Sequence, residues 1–168
     1  MKKLMLFAFA MIAMACQQNK IGYVDNVKLL DDYQEKVDIE AKYKVKIEAL
    51  TKKRDSISQA FQLELQEFQT KSQKMSQKSA QEEYALLQQR GQFMGQQLQQ
   101  EEQQLQISSQ TEMDSLVSKV RKEVKAYGEA NGFTYILTGG TGGAVLYGQD
   151  PQNLTSSIVK ILNDKYKK

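Results

Sequence analysis

The chain has 168 residues, of which 40% are hydrophobic and 26% charged, and it contains a single proline. This composition is typical of one helix-rich domain. Without Lys2 and Lys3, which belong to a predicted leader, the formal net charge falls from +3 to +1, so we expect no nucleic-acid partner. Histidine is absent and Cys16 is the only cysteine. The commonest general base and metal ligands are therefore missing, and we expect neither an enzyme nor a metal or cofactor site.

The first fifteen residues have the pattern of a signal peptide. Two lysines precede an apolar run at 4–15 that is too short to span a membrane. Cys16 follows, where a lipoprotein signal peptidase would leave an acylated residue. Ala13 stands where such sites usually carry leucine, so ordinary cleavage with a bare thiol is the alternative. We expect residues 16–19 to form a linker, with lipid on Cys16 attaching the protein to a membrane.

The next hundred residues change from a strand pattern to a helix pattern. Residues 20–25 (KIGYVD) carry alternating apolar side chains and predict a short strand. Residues 27–127 contain no proline and are rich in Glu, Lys, Gln, Leu and Ala, which favour helix. A helix of that length does not fit an ordinary globular domain, so the stretch is predicted to form a coiled coil or a helical hairpin.

Apolar residues seven positions apart indicate where two helices pack. One lane is Tyr43, Leu50 and Ile57, and others recur in the second half of the stretch. If the chain folds back near residue 77, antiparallel partners have position numbers that total about 155. The predicted pairs are Leu50–Leu105, Ile57–Leu98, Phe61–Met94, Phe68–Leu87 and an ion pair Arg54–Glu101.

A capping box selects this register. Ser79 and Glu82 have the spacing with which a serine begins a helix and a glutamate returns to its amide. The turn is therefore predicted at residues 76–79. Gly91 and Gly95 interrupt the return helix and either favour bending or are simply tolerated.

The end of the chain is predicted to form a small head. Gly128 and Gly132 are expected to end the long helix, and residues 133–137 (FTYIL) and 144–147 (AVLY) to form neighbouring strands. The glycine-rich segment between them is interpreted as a turn, because a phosphate-binding loop needs a helix after it. Thr155 is expected to cap a terminal helix whose apolar face is Ile158, Ile161 and Leu162.

The predicted fold is therefore mainly α, with a small β-sheet head. Residues 20–168 form a single domain: a head of residues 20–26 and 128–168, and a long antiparallel two-helix coiled-coil hairpin at 27–127 that projects from a β-containing oligomerisation body. A head of this size has a small core, so association through it is expected. These features alone leave the number of subunits open.

Both ends of the chain resemble the OmpH/Skp family of periplasmic chaperones. The resemblance lies in KIGYVD-x-x-x-LL at 20–30 and in GFTYIL, AVLYG and NLTSSIVKILNDKY near the end. It implies a homotrimer in the periplasm of a Gram-negative bacterium, whose three hairpins surround a cavity. It also implies an ATP-independent holdase that binds unfolded outer-membrane proteins and prevents their aggregation. The alternative is an envelope adaptor or structural lipoprotein whose coiled coil docks one fixed partner.

Five apolar residues of the hairpin are the candidate client contacts. Packing between the two helices is the competing role, and it is favoured for all of them except Phe93. The candidates are Phe61, Phe68, Met75, Phe93 and Met94.

Overall fold

A computed structural model describes residues 19–167, so the predicted signal peptide and Cys16 lie outside the described residues. The helices and strands, in chain order, are β1 (Ile21–Asp25), α1 (Asn26–Asp31), α2 (Gln34–Ser72), α3 (Gln77–Ala130), β2 (Tyr135–Gly139), a short 3-10 helix (Asp150–Gln152) and α4 (Thr155–Tyr166). The predicted fold class is confirmed: two long helices dominate and two short strands accompany them. The chain divides into a middle unit, Lys36–Leu116, and an end unit of residues 19–35 and 117–167.

The end unit contains the two strands, and they are parallel neighbours. Ile21 pairs with Tyr135 and Asp25 with Gly139. On the other side of β1, the Leu154 amide donates to the Tyr23 carbonyl at 2.8 Å. Thr155 is buried, and its hydroxyl accepts from the Asp25 amide at 2.9 Å. Residues from both ends of the chain therefore build one hydrogen-bonded body.

The core of the end unit is the predicted apolar face of α4 packed with the chain's first elements. Ile158 and Leu162 are buried, as are Val24, Leu29 and Leu154. Thr155 does not cap α4 as predicted, because its hydroxyl is used by β1. Asn153 serves the helix start instead, since its side-chain oxygen accepts from the Thr155 amide at 3.0 Å.

Residues 144–147 do not form the predicted strand. Only Val145 pairs, through a bridge to Gly139 in which its amide donates to the Thr138 carbonyl at 3.1 Å. The neighbour of β2 is β1, so the prediction was wrong about the partner as well. Leu146 is 100% exposed and Tyr147 85% exposed. Apart from the Val145 bridge, residues 144–147 therefore have no strand partner within the described part of this chain.

Helix ends explain two further differences from the predictions. Gly132 has a φ of +68°, and the Phe133 amide donates to the Gly128 carbonyl at 2.9 Å, which is a Schellman end. Gly132 thus ends α3 as predicted, whereas Gly128 lies inside the helix. The first long helix is also broken at Asp32 and Tyr33.

That break is closed by a residue near the other end of the chain. The Asn163 side chain accepts from the Gln34 amide at 2.9 Å and donates to the Asp32 carbonyl at 3.0 Å. These bonds satisfy backbone groups that the interruption leaves without helical partners. The predicted continuous helix from residue 27 is therefore wrong in its first turns.

The middle unit is an antiparallel helical hairpin, and its turn lies at residues 73–76 rather than 76–79. Ser76 takes the capping role predicted for Ser79: its hydroxyl accepts from the Ser79 amide at 3.3 Å and its carbonyl from the Ala80 amide at 2.9 Å. Both serines fit the sequence preference for a helix start. Ser76 is the residue that directly precedes α3, which begins at Gln77.

The two glycines of the return helix differ in their surroundings, although α3 runs through both without interruption. A Cβ at Gly91 would lie 2.9 Å from the Phe61 ring, whereas a Cβ at Gly95 would have nothing within 4 Å. The absence of a side chain at Gly91 therefore leaves room for the aromatic ring of Phe61 from α2.

We expect Gly95→Ala to raise the free energy of unfolding by about 1 kcal/mol, the usual gain for alanine over glycine within a helix. Gly91→Ala should gain clearly less, or lose stability, because the new methyl group displaces the Phe61 ring. Urea unfolding followed by circular dichroism measures both. Equal gains at the two positions would show that Gly91 is not shaped by packing.

Candidate binding surface on the helical hairpin

The seam of the hairpin is most deeply buried at one end. Ile39, Tyr43 and Leu116 are buried, whereas the seam residues nearer the turn are only half-buried. Two helices without a third layer bury one stripe each, so the remaining faces meet solvent. The hairpin therefore leaves much of its apolar surface available for contact.

Within the middle unit, four ion pairs cross one side of the seam. Lys42 pairs with Glu112 at 2.6 Å, and Lys53 pairs with Glu101. Nearer the turn are the remaining two, Arg90–Glu64 at 3.0 Å and Lys71–Glu83 at 2.9 Å. We call the side of the hairpin that carries these four pairs the ladder face.

The neighbouring pair differs from the predicted ion pair, although the predicted register, in which paired positions total about 155, is kept. Arg54 pairs with Glu102 at 3.0 Å rather than with Glu101, which belongs to Lys53. Consecutive helical residues point about 100° apart, so Lys53 and Arg54 lie on opposite sides of the seam. The two ion pairs therefore join the helices on opposite sides of the seam.

The predicted apolar pairs are partly confirmed. Leu50 and Leu105 line one groove, and Phe68 and Leu87 line another. The Phe61 ring lies against Gly91, and the pairs Phe61–Met94 and Ile57–Leu98 stay predictions.

Exposed apolar side chains lie beside the ladder face. Leu86 is 66% exposed and Phe93 is 65% exposed. Leu86 follows Glu83 by three positions and precedes Arg90 by four, which places it on the same face of α3 as both. Phe93 lies seven positions after Leu86, and Ile107, which is also exposed, lies fourteen positions after Phe93. Together they form a broken apolar lane outside the seam.

A shallow groove on the ladder face combines these features. Its lining includes Phe68, Leu86 and Leu87, bordered by the Arg90–Glu64 and Lys71–Glu83 pairs. Apolar atoms flanked by paired charges can receive an apolar side chain without placing a lone charge against it. The groove is therefore suited to contact with an apolar side chain of another molecule.

The five candidate residues fall into different environments. Phe68 stacks on Tyr84 with ring centroids 5.9 Å apart, and Phe61 packs at Gly91, so both serve the seam. Met94 is half-buried, as is Met75 within the turn. Phe93 alone among them is largely exposed. The sequence reasoning missed Leu86, although its spacing of seven from Phe93 could have indicated it.

The charged cluster at the buried end of the seam is mutually stabilised. Hydrogen bonds from Lys42 and Tyr43 lower the pKa of Glu112, and the same bond to Glu112 raises the pKa of Lys42. Burial, followed by the hydrogen bond to Glu112, raises the pKa of the Tyr43 phenol. The Lys46 ammonium lies 5.1 Å from the centre of the Tyr43 ring. This cluster ties α2 to α3 by charge as well as by packing.

Residues 19–167 contain neither a metal-binding cluster nor a membrane-spanning helix. No group of three or more histidine, cysteine or acidic residues in this range could hold a metal ion. Among the same residues, no helix is long and apolar enough to cross a membrane.

Comparisons with known proteins agree with this architecture. The family model described as "Outer membrane protein (OmpH-like)" matches residues 20–162. The crystal structure of a Caulobacter crescentus protein described as OmpH-like superposes with a TM-score of 0.79 at 12% identity. That match covers 90% of this chain and 88% of the other. A search of curated protein sequences finds no significant match.

The Lys42–Glu112 pair predicts a pH dependence of hairpin stability. The lowered pKa of Glu112 means that its stabilisation is present above its ordinary pKa and is lost as the pH falls through its folded value. The raised pKa of Lys42 acts at the other end, where stabilisation is lost as the pH rises through the folded value. We expect Glu112→Gln to flatten the loss of stability on the acid side.

The measurement is the urea midpoint between about pH 3 and pH 7, followed by circular dichroism. Glu48→Gln, which removes an exposed carboxylate from the same unit, is the matched control for net charge. An acid profile of Glu112→Gln that overlays the wild type would contradict the role of the pair.

Proposed function

The chain belongs to the OmpH-like family of outer membrane proteins, and on that premise we propose that it is an ATP-independent periplasmic holdase for unfolded outer-membrane proteins. The observation that carries the proposal is the exposed apolar lane of Leu86, Phe93 and Ile107 beside the ladder face. Leu86 shares a groove with Phe68 and Leu87, and exposed apolar surface larger than single scattered residues marks a contact site for other molecules. Holding by such contacts requires no nucleotide.

Binding energies indicate that many weak contacts are needed. Full burial of a leucine or phenylalanine side chain stabilises by about 1.5–3 kcal/mol, and a micromolar complex needs about 8 kcal/mol. One exposed residue is therefore insufficient, whereas several along one hairpin, repeated on further hairpins, can hold a chain that visits them in turn. Such contacts suit clients of varied sequence.

The candidate client contacts divide by how far each side chain is exposed in the hairpin. Phe93 is the residue we assign to client binding with least competition from packing. Phe61, Phe68, Met75 and Met94 contribute where the seam opens, because their side chains are partly exposed in the closed hairpin. Leu86, in the groove on the ladder face, is a further candidate contact.

Association through the end unit is the second part of the proposal. Leu146 and Tyr147 project from the unit, and in the described residues the edge of β2 away from β1 is paired only by the Gly139–Val145 bridge. A cavity of about 550 Å³ lies beside β2, lined by Val120, Val124 and Ile136 among others. An open strand edge next to apolar surface favours assembly. We propose three copies, as the family resemblance implies.

The location follows from the predicted leader. We propose export to the periplasm and lipid attachment at Cys16, which would hold the end unit close to a membrane because only three residues separate Cys16 from Lys20. The mass of the mature amino terminus reports this modification directly. An unmodified cysteine there leaves the holdase proposal intact and removes the anchor.

We expect the purified mature protein to suppress aggregation of a urea-denatured β-barrel outer-membrane protein after dilution, measured by light scattering. Phe93→Ala should weaken suppression with little change in the urea midpoint. Phe68→Ala should lower the free energy of unfolding by about 2 kcal/mol, because the ring packs in the seam. Gln97→Ala, which replaces an exposed residue on the same helix as Phe93, is the control.

No suppression by excess wild-type protein would refute the holdase. Crosslinking in cells then identifies the alternative: one stoichiometric partner indicates an envelope adaptor, whereas many outer-membrane proteins indicate a chaperone.

We expect Leu146→Asp to dissociate the oligomer. A charge at this position has no contact within the chain to disturb, yet it would be buried without a partner in an assembled interface. Native mass spectrometry should give three chains for the wild type and one for the variant. Gln149→Asp, also exposed, adds the same charge as a control. A monomeric wild type would contradict association through the end unit.

A further inference from the structure

The outward face of α3 carries a stripe of exposed glutamines. They are spaced three or four positions apart, so they follow one face of the helix for about five turns. We call this set the glutamine stripe: Gln88, Gln92, Gln96, Gln99, Gln103 and Gln106. All six are exposed.

This face has no free charge. Between Gln88 and Gln110 the sequence contains only three charged residues, namely Arg90, Glu101 and Glu102. Each of them forms an ion pair with α2 across the seam. The charges are thus directed to the seam, and what remains outward is neutral amide.

Two exposed apolar residues border the stripe. Phe93 precedes Gln96 by three positions, and Ile107 follows Gln103 by four, so each lies one turn from a glutamine on a shared side of the helix. The combined surface offers amide groups and apolar side chains together. An unfolded polypeptide presents the same two kinds of group.

Glutamine side chains match the hydrogen-bonding groups of a peptide backbone. Each primary amide supplies two N–H donors and a carbonyl acceptor. An unfolded β-strand segment exposes a row of unpaired N–H and C=O groups, which otherwise pair with other chains and lead to aggregation. Eighteen residues of helix are about 27 Å long, which is the length of about eight extended residues.

We propose that the glutamine stripe binds the main chain of extended client segments, with Phe93 and Ile107 contacting the client's apolar side chains. This inference rests on the holdase proposal and names the part of the client that is recognised. Because the surface is neutral, the affinity depends little on salt. It also depends little on client sequence, since every residue carries the same backbone groups.

The experiment uses the full mature protein and a fluorescent, uncharged ten-residue peptide that alternates apolar and polar residues. The affinity is measured by fluorescence anisotropy at about 20 mM and about 500 mM salt, where screening differs strongly. A second peptide carries N-methyl groups on alternate amides and so lacks half of the backbone donors.

The stripe variant replaces Gln92, Gln96, Gln99 and Gln103 by alanine, the best helix former, so that the hairpin is retained. The matched control replaces four exposed glutamines of α2 by alanine: Gln59, Gln62, Gln66 and Gln69. We expect a Kd about fivefold weaker for the stripe variant, a similar weakening for the methylated peptide on wild type, and less than about twofold for the control.

Three outcomes overturn the inference: equal affinity of the stripe variant and wild type, a wild-type affinity that falls about tenfold with salt, or no peptide binding at all. If the wild type still suppresses aggregation in any of these cases, the holdase survives and only the role of the stripe is lost. A changed native mass of the stripe variant with unchanged peptide affinity would instead assign the stripe to contact between copies of the chain.

Discussion

A hairpin of two helices can bury only one stripe on each helix, and most features of the middle unit follow from this constraint. The stripe is deepest at Ile39, Tyr43 and Leu116 and shallower toward the turn. With so little apolar contact to fix the register, ion pairs across the seam align the helices. Their individual contributions are small because they are exposed, but four of them on one side, with a fifth opposite, favour one alignment over a shift by a turn.

The same constraint explains why the hairpin is suited to contact other chains. Apolar residues outside the seam have no third layer to cover them, so Phe93 and Leu86 stay in solvent. A compact globular domain would bury such residues. Local stability that decreases toward the turn also lets the seam open there without loss of the better-packed end. Exposure and limited stability therefore have a common cause in the two-helix architecture.

The sequence predicted those parts of the fold that depend on local patterns. Apolar residues spaced seven positions apart predicted the antiparallel hairpin, and Gly132 predicted the end of α3. Both signals lie within a few turns of the structure that they specify. The turn was placed three residues late because Ser76 and Ser79 both satisfy the capping preference. Their choice depends on how the two helices meet, which no short motif records.

Features that depend on distant partners escaped the sequence analysis. The break at Asp32 is closed by Asn163, more than a hundred residues away. Thr155 lost its predicted capping role to a hydrogen bond with β1. Residues 144–147 have strand-forming side chains but no strand, because strand propensity requires a neighbour that the chain itself does not supply. Phe93 is exposed, as its position outside the seam lanes indicated, and its role in client binding stays a prediction.

The turn at residues 73–76 is closed by hydrogen bonds among neighbouring residues, chiefly through Ser76. Contacts across the hairpin elsewhere join positions related by a nearly constant register. Removal or insertion of matched segments on both helices would therefore preserve the pairing on either side of the change. The length of the hairpin can therefore change in evolution while the end unit keeps its own hydrogen bonds unaltered.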